Sequence, residues 1–386
     1  MDRKELFNSA NRIVIKLGTA VLMRDEGGIA LSRFYIFVEG IAGLIKSGKE
    51  VLLVTSGAVG LGSRALKLTA KPKLLPLKQA CAAIGQGRLM GLYNDAFEKS
   101  DVVAAQVLLT EEDFSNRHRY LNLRSTISQL LELKVLPIIN ENDTVSTAEL
   151  ETLKSEVDIK VNFGDNDKLS ALVASKMDAD LLIILTDVEG LYSADPRLPD
   201  AKLISLVDNF TAEIEQLGES KVVSDKPGRG GIKTKLAAAK IATQSGCAAI
   251  IAGGKLDRVV SRLASGEELG TLFLPKKGLS GKQRWIAFAT TVKASIVIND
   301  GAREALTNRK ASLLAAGITE VKGAFERGDV VSVEDTSGKE FARGIVNYNS
   351  NEARQALGQH SHALDSVAGR NYDAIITRDN IAFLDA

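Results

Sequence analysis

At 386 residues, with 45% hydrophobic and 25% charged residues and a formal net charge of +1, the chain can fill more than one core and carries no whole-molecule field for nucleic acid or an anionic membrane. Cys81 and Cys247 and three histidines, His118, His360 and His362, form no ligand-spaced set, which argues against a disulfide framework or a structural zinc site. The opening MDRKELFNSA lacks the apolar core of a signal peptide, and no apolar run reaches the roughly 18 residues that span a bilayer; the expected location is the cytoplasm.

Short β-branched runs alternate with helical patterns over the first two-thirds of the chain. The runs are RIVIKLG (12–18), EVLLVTSG (50–57), VVAAQVLL (102–109), VLPIIN (135–140), LLIILTDV (181–188) and AAIIAGG (248–254). Each is too short for a helix and lacks polar alternation, as buried parallel strands do. Between the first two, Phe34, Phe37, Ile41, Leu44 and Ile45 recur at helical spacing and Gly48 marks a stop. The predicted fold is α/β, an open and mostly parallel sheet sandwiched by helices over residues 1–275. A Pro, Gly and Lys-rich linker follows at 276–284. Residues 285–386 are expected to form a small β-rich domain with strands at 328–335 and 341–348.

Ligands of open parallel sheets bind beyond the carboxyl ends of the strands. There the sequence places Lys16 with LGT, TSGAVG (55–60), NENDT (140–144), TDVEGLY (186–192) and glycines 253–254. Small residues let backbone N–H groups approach phosphate oxygens, and Lys16 adds a point charge. GRGGIKTKLAAAK (228–240) runs into a helix whose N-terminus favours an anion and whose first turns carry Lys235. Two lysines flanking a transferring phosphoryl group would stabilise its spread charge. A carboxylate acceptor, with a pKa of about 4.3, is already ionised at neutral pH and needs no general base, which suits a chain poor in histidine. NENDT and GDNDKLS (164–170) would hold a substrate ammonium, orient the lysines and help site Mg²⁺ through water. Alone, Lys16 reads equally as an edge residue with a solvated tip, GDNDKLS as a helix start capped by Asn166 or Asp167, and NENDT as a turn. Their occurrence at one end of one sheet favours a site. GLIKSGKE (43–50) imitates a P-loop but has Glu50 in place of Ser or Thr and ends a helix, and GAVGLG lacks the dinucleotide spacing.

IVIKLGTAVL, VLLVTSGAVGLG, LKQACAAIGQGRLM, VLPIINENDTV, FGDNDKLSALVA, LTDVEGLYSADPR and GGIKTKLAAA together resemble the glutamate 5-kinase family of the amino-acid kinases. The resemblance implies phosphorylation of the L-glutamate side-chain carboxylate by ATP with Mg²⁺, the first step of proline biosynthesis. It assigns Lys16 and Lys235 as catalytic lysines and Asp167 as the residue that orients them. It places Ser56, Asn140, Asp143 and Asn166 at glutamate, and Lys16, Thr186, Asp187, Arg229, Gly230, Gly231, Ile232, Lys233, Thr234 and Lys235 at the nucleotide. No protein-held metal site is expected. The family further implies a homo-oligomer, proline as feedback inhibitor and hand-over of product to a glutamyl phosphate reductase. Two departures stand out. ELETLKSEVDIKVNF (149–163) adds roughly a dozen residues between NEND and GDND, beside the expected glutamate site. Arg229 and Lys233 stand where the family commonly has Thr and a small residue. The C-terminal LLAAGITEVKGAFERGDVVSVED and FARGIVNYNS resemble a PUA domain, a module that binds RNA in several modification enzymes. From Trp285 onward 11 Lys and Arg face 13 Asp and Glu, which argues against RNA and for regulation or assembly. An RNA-binding or modification factor, or an amino-acid kinase with another substrate, are the alternatives.

Overall fold

The computed structural model describes residues 2–24, 28–70, 72–145, 166–219, 231–275, 283, 286–287, 292, 294–309, 311–357 and 374–384. They fall into two units, Met1–Gly278 and Leu279–Ala386.

In the first unit the apolar runs become the strands β1 (Arg12–Leu17), β2 (Glu50–Val54), β3 (Ala104–Leu109), β4 (Leu136–Glu141), β5 (Leu181–Thr186) and β7 (Ala248–Gly253), with β6 (Leu206–Val207) and β8 (Thr271–Phe273) added at one edge. Their order is β3-β4-β2-β1-β5-β7-β8-β6. All pairs are parallel except β7 with β8. β1 is central, with Lys16 level with Val54 of β2 and Ile184 of β5. Every residue of β4, β5, β7 and β8 is buried. Helices on both faces explain why these runs show no polar alternation. The predicted open, mostly parallel sheet is present; β6 and β8 were not foreseen.

The helix Leu31–Lys46 buries Phe34, Phe37, Val38 and Ile41. It stops where predicted: Gly48 takes φ +90°, its N–H donates to the Ile45 carbonyl at 3.0 Å, and Lys49 N–H donates to Leu44 at 3.1 Å. β2 ends at Val54, short of the predicted 57, because Gly57 adopts φ +109° and starts the helix Ala58–Ala65. That helix crosses Leu75–Glu98 at Gly62 and Gly85 with the backbones in contact. A Cβ on Gly85 would lie 1.7 Å from the Ala58 carbonyl oxygen, so no side chain fits there. The crossing seats the segment after β2 against the following helix.

In the second unit β9 (Ser295–Ile298), β10 (Ile318–Lys322), β11 (Val330–Glu334), β12 (Glu340–Ile345) and β13 (Ile381–Phe383) form a sheet of order β10-β9-β11-β12-β13. Only β9 and β11 are parallel. Its core is built on Ile296, Ile298, Val331, Val333, Phe341 and Ile376. β11 and β12 are the two predicted strands; Asp335 joins them by accepting from the N–H groups of Ser337 and Lys339. Among the described residues no helix is long and apolar enough to cross a membrane.

Candidate active site

Because β1, β2, β4, β5 and β7 are parallel neighbours, their carboxyl ends share one edge of the sheet. Lys16 is the penultimate residue of β1. It lies in the middle of the sheet and is only 6% exposed, which removes the solvated-edge alternative. Gly18, two residues on, donates its N–H to the Leu185 carbonyl at 3.2 Å. A Cβ on Gly18 would stand 3.5 Å from Lys16 Nζ, an ordinary contact, so the chain passes close beside the ammonium here.

Asp167 begins the helix Asn166–Lys176 and is 1% exposed. Its carboxylate reaches across to two lysines. Oδ1 lies 2.5 Å from Lys16 Nζ and Oδ2 lies 3.1 Å from Lys235 Nζ. Lys235, 4% exposed, sits in the first turn of the helix Ile232–Gln244, whose N-cap is Gly231. Thr234 Oγ1 lies 3.0 Å from both Asp167 Oδ2 and the Gly231 carbonyl oxygen, so its one hydrogen is shared between two acceptors. Burial pushes the Asp167 carboxyl up, but the two ammonium groups outweigh it and hold the group below the usual carboxylate range. Two ammoniums and one carboxylate sum to +1 in a buried place. Positive charge in excess among these three groups suits an anion.

The neighbouring residue, Asn166, points elsewhere. Its Nδ2 donates to the Thr55 carbonyl at 2.7 Å and to Asn140 Oδ1 at 3.1 Å. Asn140, 2% exposed at the end of β4, donates in turn to Gln86 Oε1 at 2.9 Å. Thr55 is itself fixed by a 2.8 Å bond between its hydroxyl and that of Tyr93; burial pushes the Tyr93 hydroxyl up, so it stays protonated. A cavity of about 300 Å³ opens beside this row, lined by Gln86, Gln106, Glu141, Asn142 and Asp143 among others. Ser56 lies over the end of β1, donating to the Leu17 carbonyl at 3.1 Å and accepting from Thr19 Oγ1 at 3.0 Å.

On the other side of β1, Thr186 closes β5 and donates to Asp187 Oδ1 at 3.1 Å. Its carbonyl accepts from Gly254 N–H at 2.7 Å, tying the ends of β5 and β7 together. Ile232 and the 188–196 stretch line a shallow apolar recess with Val188, Gly190, Tyr192 and Pro196. Lys233 is exposed. Arg229, Gly230 and the 149–163 insertion lie outside the described residues. Lys16, Asp167, Thr234 and Lys235 are thus joined in one cluster, and Asn140 and Asn166 in another that begins at the adjacent residue. Gln86 was missed by sequence reasoning. The available signal was a glutamine on the face of its helix that also carries Ala82, Leu89 and Met90, all buried. No group of three or more His, Cys, Asp or Glu able to hold a metal occurs among the described residues.

The lysine of the central strand thus meets an aspartate and, through it, a second lysine, both from the starts of helices. The amino acid kinase family model matches residues 11–253 and the PUA domain model residues 294–368. The chain is 46% identical over 377 residues to glutamate 5-kinase of Caldanaerobacter subterraneus subsp. tengcongensis, covering 97% of this chain and 98% of that one. It is 44% identical over 394 residues to glutamate 5-kinase of Methanosarcina acetivorans, covering 100% and 99%. Within the amino acid kinases the chain belongs to the glutamate 5-kinase family. Among solved structures, carbamate kinase from Giardia lamblia bound to AMP-PNP aligns with a TM-score of 0.48 at 19% identity, over 69% of this chain and 99% of that one.

Proposed function

We propose that the chain transfers the γ-phosphoryl group of ATP to the side-chain carboxylate of L-glutamate, giving ADP and glutamyl 5-phosphate, the first step of proline biosynthesis. The observation that carries this is the buried Lys16–Asp167–Lys235 bridge with its net positive charge. A glutamate oxygen, ionised at neutral pH, attacks the γ-phosphorus while the bond to the ADP oxygen breaks. Lys16 and Lys235 bear on the oxygens of the moving group, where charge spreads in the transition state, and Asp167 keeps both ammoniums in place. No proton need leave the acceptor, and no enzyme residue is phosphorylated.

Ser56, Asn140, Asp143 and Asn166 are assigned to glutamate, with the Asp143 carboxylate suited to its ammonium group. Thr186, Asp187 and the 229–235 segment are assigned to the nucleotide. Gly231 opens the Ile232–Gln244 helix and, among the described residues, nothing lies within 4 Å of where its Cβ would stand, a setting that favours phosphate. The apolar recess beside Ile232 suits the face of a base. A Mg²⁺ accompanying the nucleotide would supply charge neutralisation for its phosphates; both Asp167 oxygens are engaged by lysines, so Asp167 would act on the ammoniums and not as a ligand of the metal. Proline as feedback inhibitor, a homo-oligomeric state, hand-over to glutamyl phosphate reductase and a cytoplasmic location belong to the same proposal.

ADP release with Mg²⁺-ATP and glutamate, aspartate, acetylglutamate or UMP, with hydroxylamine to trap an acyl phosphate, tests it. Glutamate-dependent ADP release matched by hydroxamate is expected. Turnover with one of the other acceptors and none with glutamate would sink the substrate assignment.

A further inference from the structure

The row Asn166–Asn140–Gln86 has a direction set by one main-chain atom. A backbone carbonyl can only accept, so Asn166 must turn its amino group toward Thr55. The same amino group faces the Asn140 oxygen, which leaves the Asn140 amino group to donate to Gln86. Gln86 is therefore obliged to present its oxygen to Asn140. Its Nε2 is turned the other way, and among the described residues it has no hydrogen-bond partner. Gln86 is 8% exposed and lines the 300 Å³ cavity. A buried amide donor left without an acceptor is disfavoured, so the cavity is built to receive one.

We propose that Gln86 Nε2 donates to the α-carboxylate of the amino-acid substrate, an inference that rests on the glutamate assignment above. The row starts at Asn166, beside the phosphoryl-handling Asp167, and runs away from it by two further side chains. The group that meets Gln86 is thus the far end of the substrate and not the carboxylate being phosphorylated. Asp143 lines the same cavity with a charge that attracts an ammonium. A donor and a carboxylate on the walls of one cavity match the carboxylate and ammonium carried by one α-carbon.

The test uses the full chain with Gln86→Met, which keeps the length and removes the donor, and Gln86→Glu, which still accepts from Asn140 but points negative charge at the cavity. Three constants are measured: KM for glutamate, KM for ATP, and the inhibition constant of 4-aminobutanoate, which has the same chain without the α-carboxylate. Gln86→Met is expected to raise the glutamate KM roughly 10- to 100-fold, the range for a hydrogen bond to a charged group. Gln86→Glu is expected to raise it further. In Gln86→Met, ATP KM and 4-aminobutanoate inhibition stay as in the wild type. An unchanged glutamate KM in either variant overturns the proposal, as does a parallel weakening of glutamate and 4-aminobutanoate, which a merely structural role would give. If the wild-type chain itself releases no ADP with glutamate, the substrate assignment fails, and that failure is visible before any variant is made.

Discussion

Asn166 and Asp167 are consecutive residues in one helical turn, and they enter two different kinds of buried polar structure. Asp167 joins a bridge of full charges, with Lys16 and Lys235 at 2.5 and 3.1 Å. Asn166 joins a row of neutral amides whose members are fixed by which end is oxygen and which is nitrogen. The first is held by charge and tolerates any donor geometry that brings opposite signs together. The second is held by direction, and swapping one atom reverses it. On the proposed assignment, the difference separates the work of moving a phosphoryl group, which needs positive charge, from that of grasping an acceptor, which needs shape and donors in fixed places.

Asp167→Asn should have the largest effect, because it preserves size and removes the charge between two buried ammoniums. Breaking one member of a buried ion pair costs about 3 to 5 kcal/mol, read as a lowered urea midpoint with an unchanged m-value. The sign with pH follows from the lowered carboxyl of Asp167. Its contribution is fully present above the unfolded value of about 3.9 and is lost as pH falls through the folded value. The stability gap between wild type and Asp167→Asn should therefore be level from about pH 5 to 8 and narrow below about pH 4. A gap that stayed level in acid would mean the bridge is not held by charge.

Lys16→Ala and Lys235→Ala come next. Each removes one of two charges proposed to meet the moving phosphoryl group, and kcat should fall by about 10² to 10³, the range for losing one preorganised electrostatic contact. Single-turnover rates at saturating ATP and glutamate separate this from weaker binding. An alanine variant with unaltered kcat would remove that lysine from the chemistry.

Asn140→Asp should be the mildest of the three and the most selective. The aspartate still accepts from Asn166 but cannot donate to Gln86, so the row is broken or reversed at its middle. Glutamate KM should rise about tenfold, with ATP KM unchanged, as for one lost or inverted hydrogen bond. A fall in kcat equal to that of the lysine variants would erase the distinction between the two clusters.

The strands of the large sheet were legible because a strand buried on both faces has one signature, a short run of Val, Ile and Leu such as LLIILT, and six runs carried it. β6 and β8 were not, since two and three residues are too few for any periodicity. Lys16 was singled out because it falls at the carboxyl end of its run, where ligands of open parallel sheets bind. Its partners lie 151 and 219 positions further on, and only the placement of β1 between β2 and β5 and the starts of two helices bring them together. Asn166 and Asp167 looked like alternative caps for one helix; their side chains instead leave in different directions, something set by tertiary neighbours and invisible to local propensity. Gln86 was hidden for the same reason. It pairs with Asn140, 54 residues away, across a helix crossing that depends on Gly62 and Gly85 being bare.

The strand order also bears on how the chain is made. β1 finds β2 early, but its other neighbour, β5, starts only at Leu181. At 5 to 20 residues per second on the ribosome, that strand arrives on the order of ten seconds after β2. Through that interval β1 is an open edge, and the ammonium of Lys16 has yet to meet Asp167, which is synthesised shortly before β5. Lys16 thus spends the wait as a charge on a strand with one open edge, where it discourages pairing with other chains. The side chain proposed to face the phosphoryl group has an earlier task, guarding the half-made sheet.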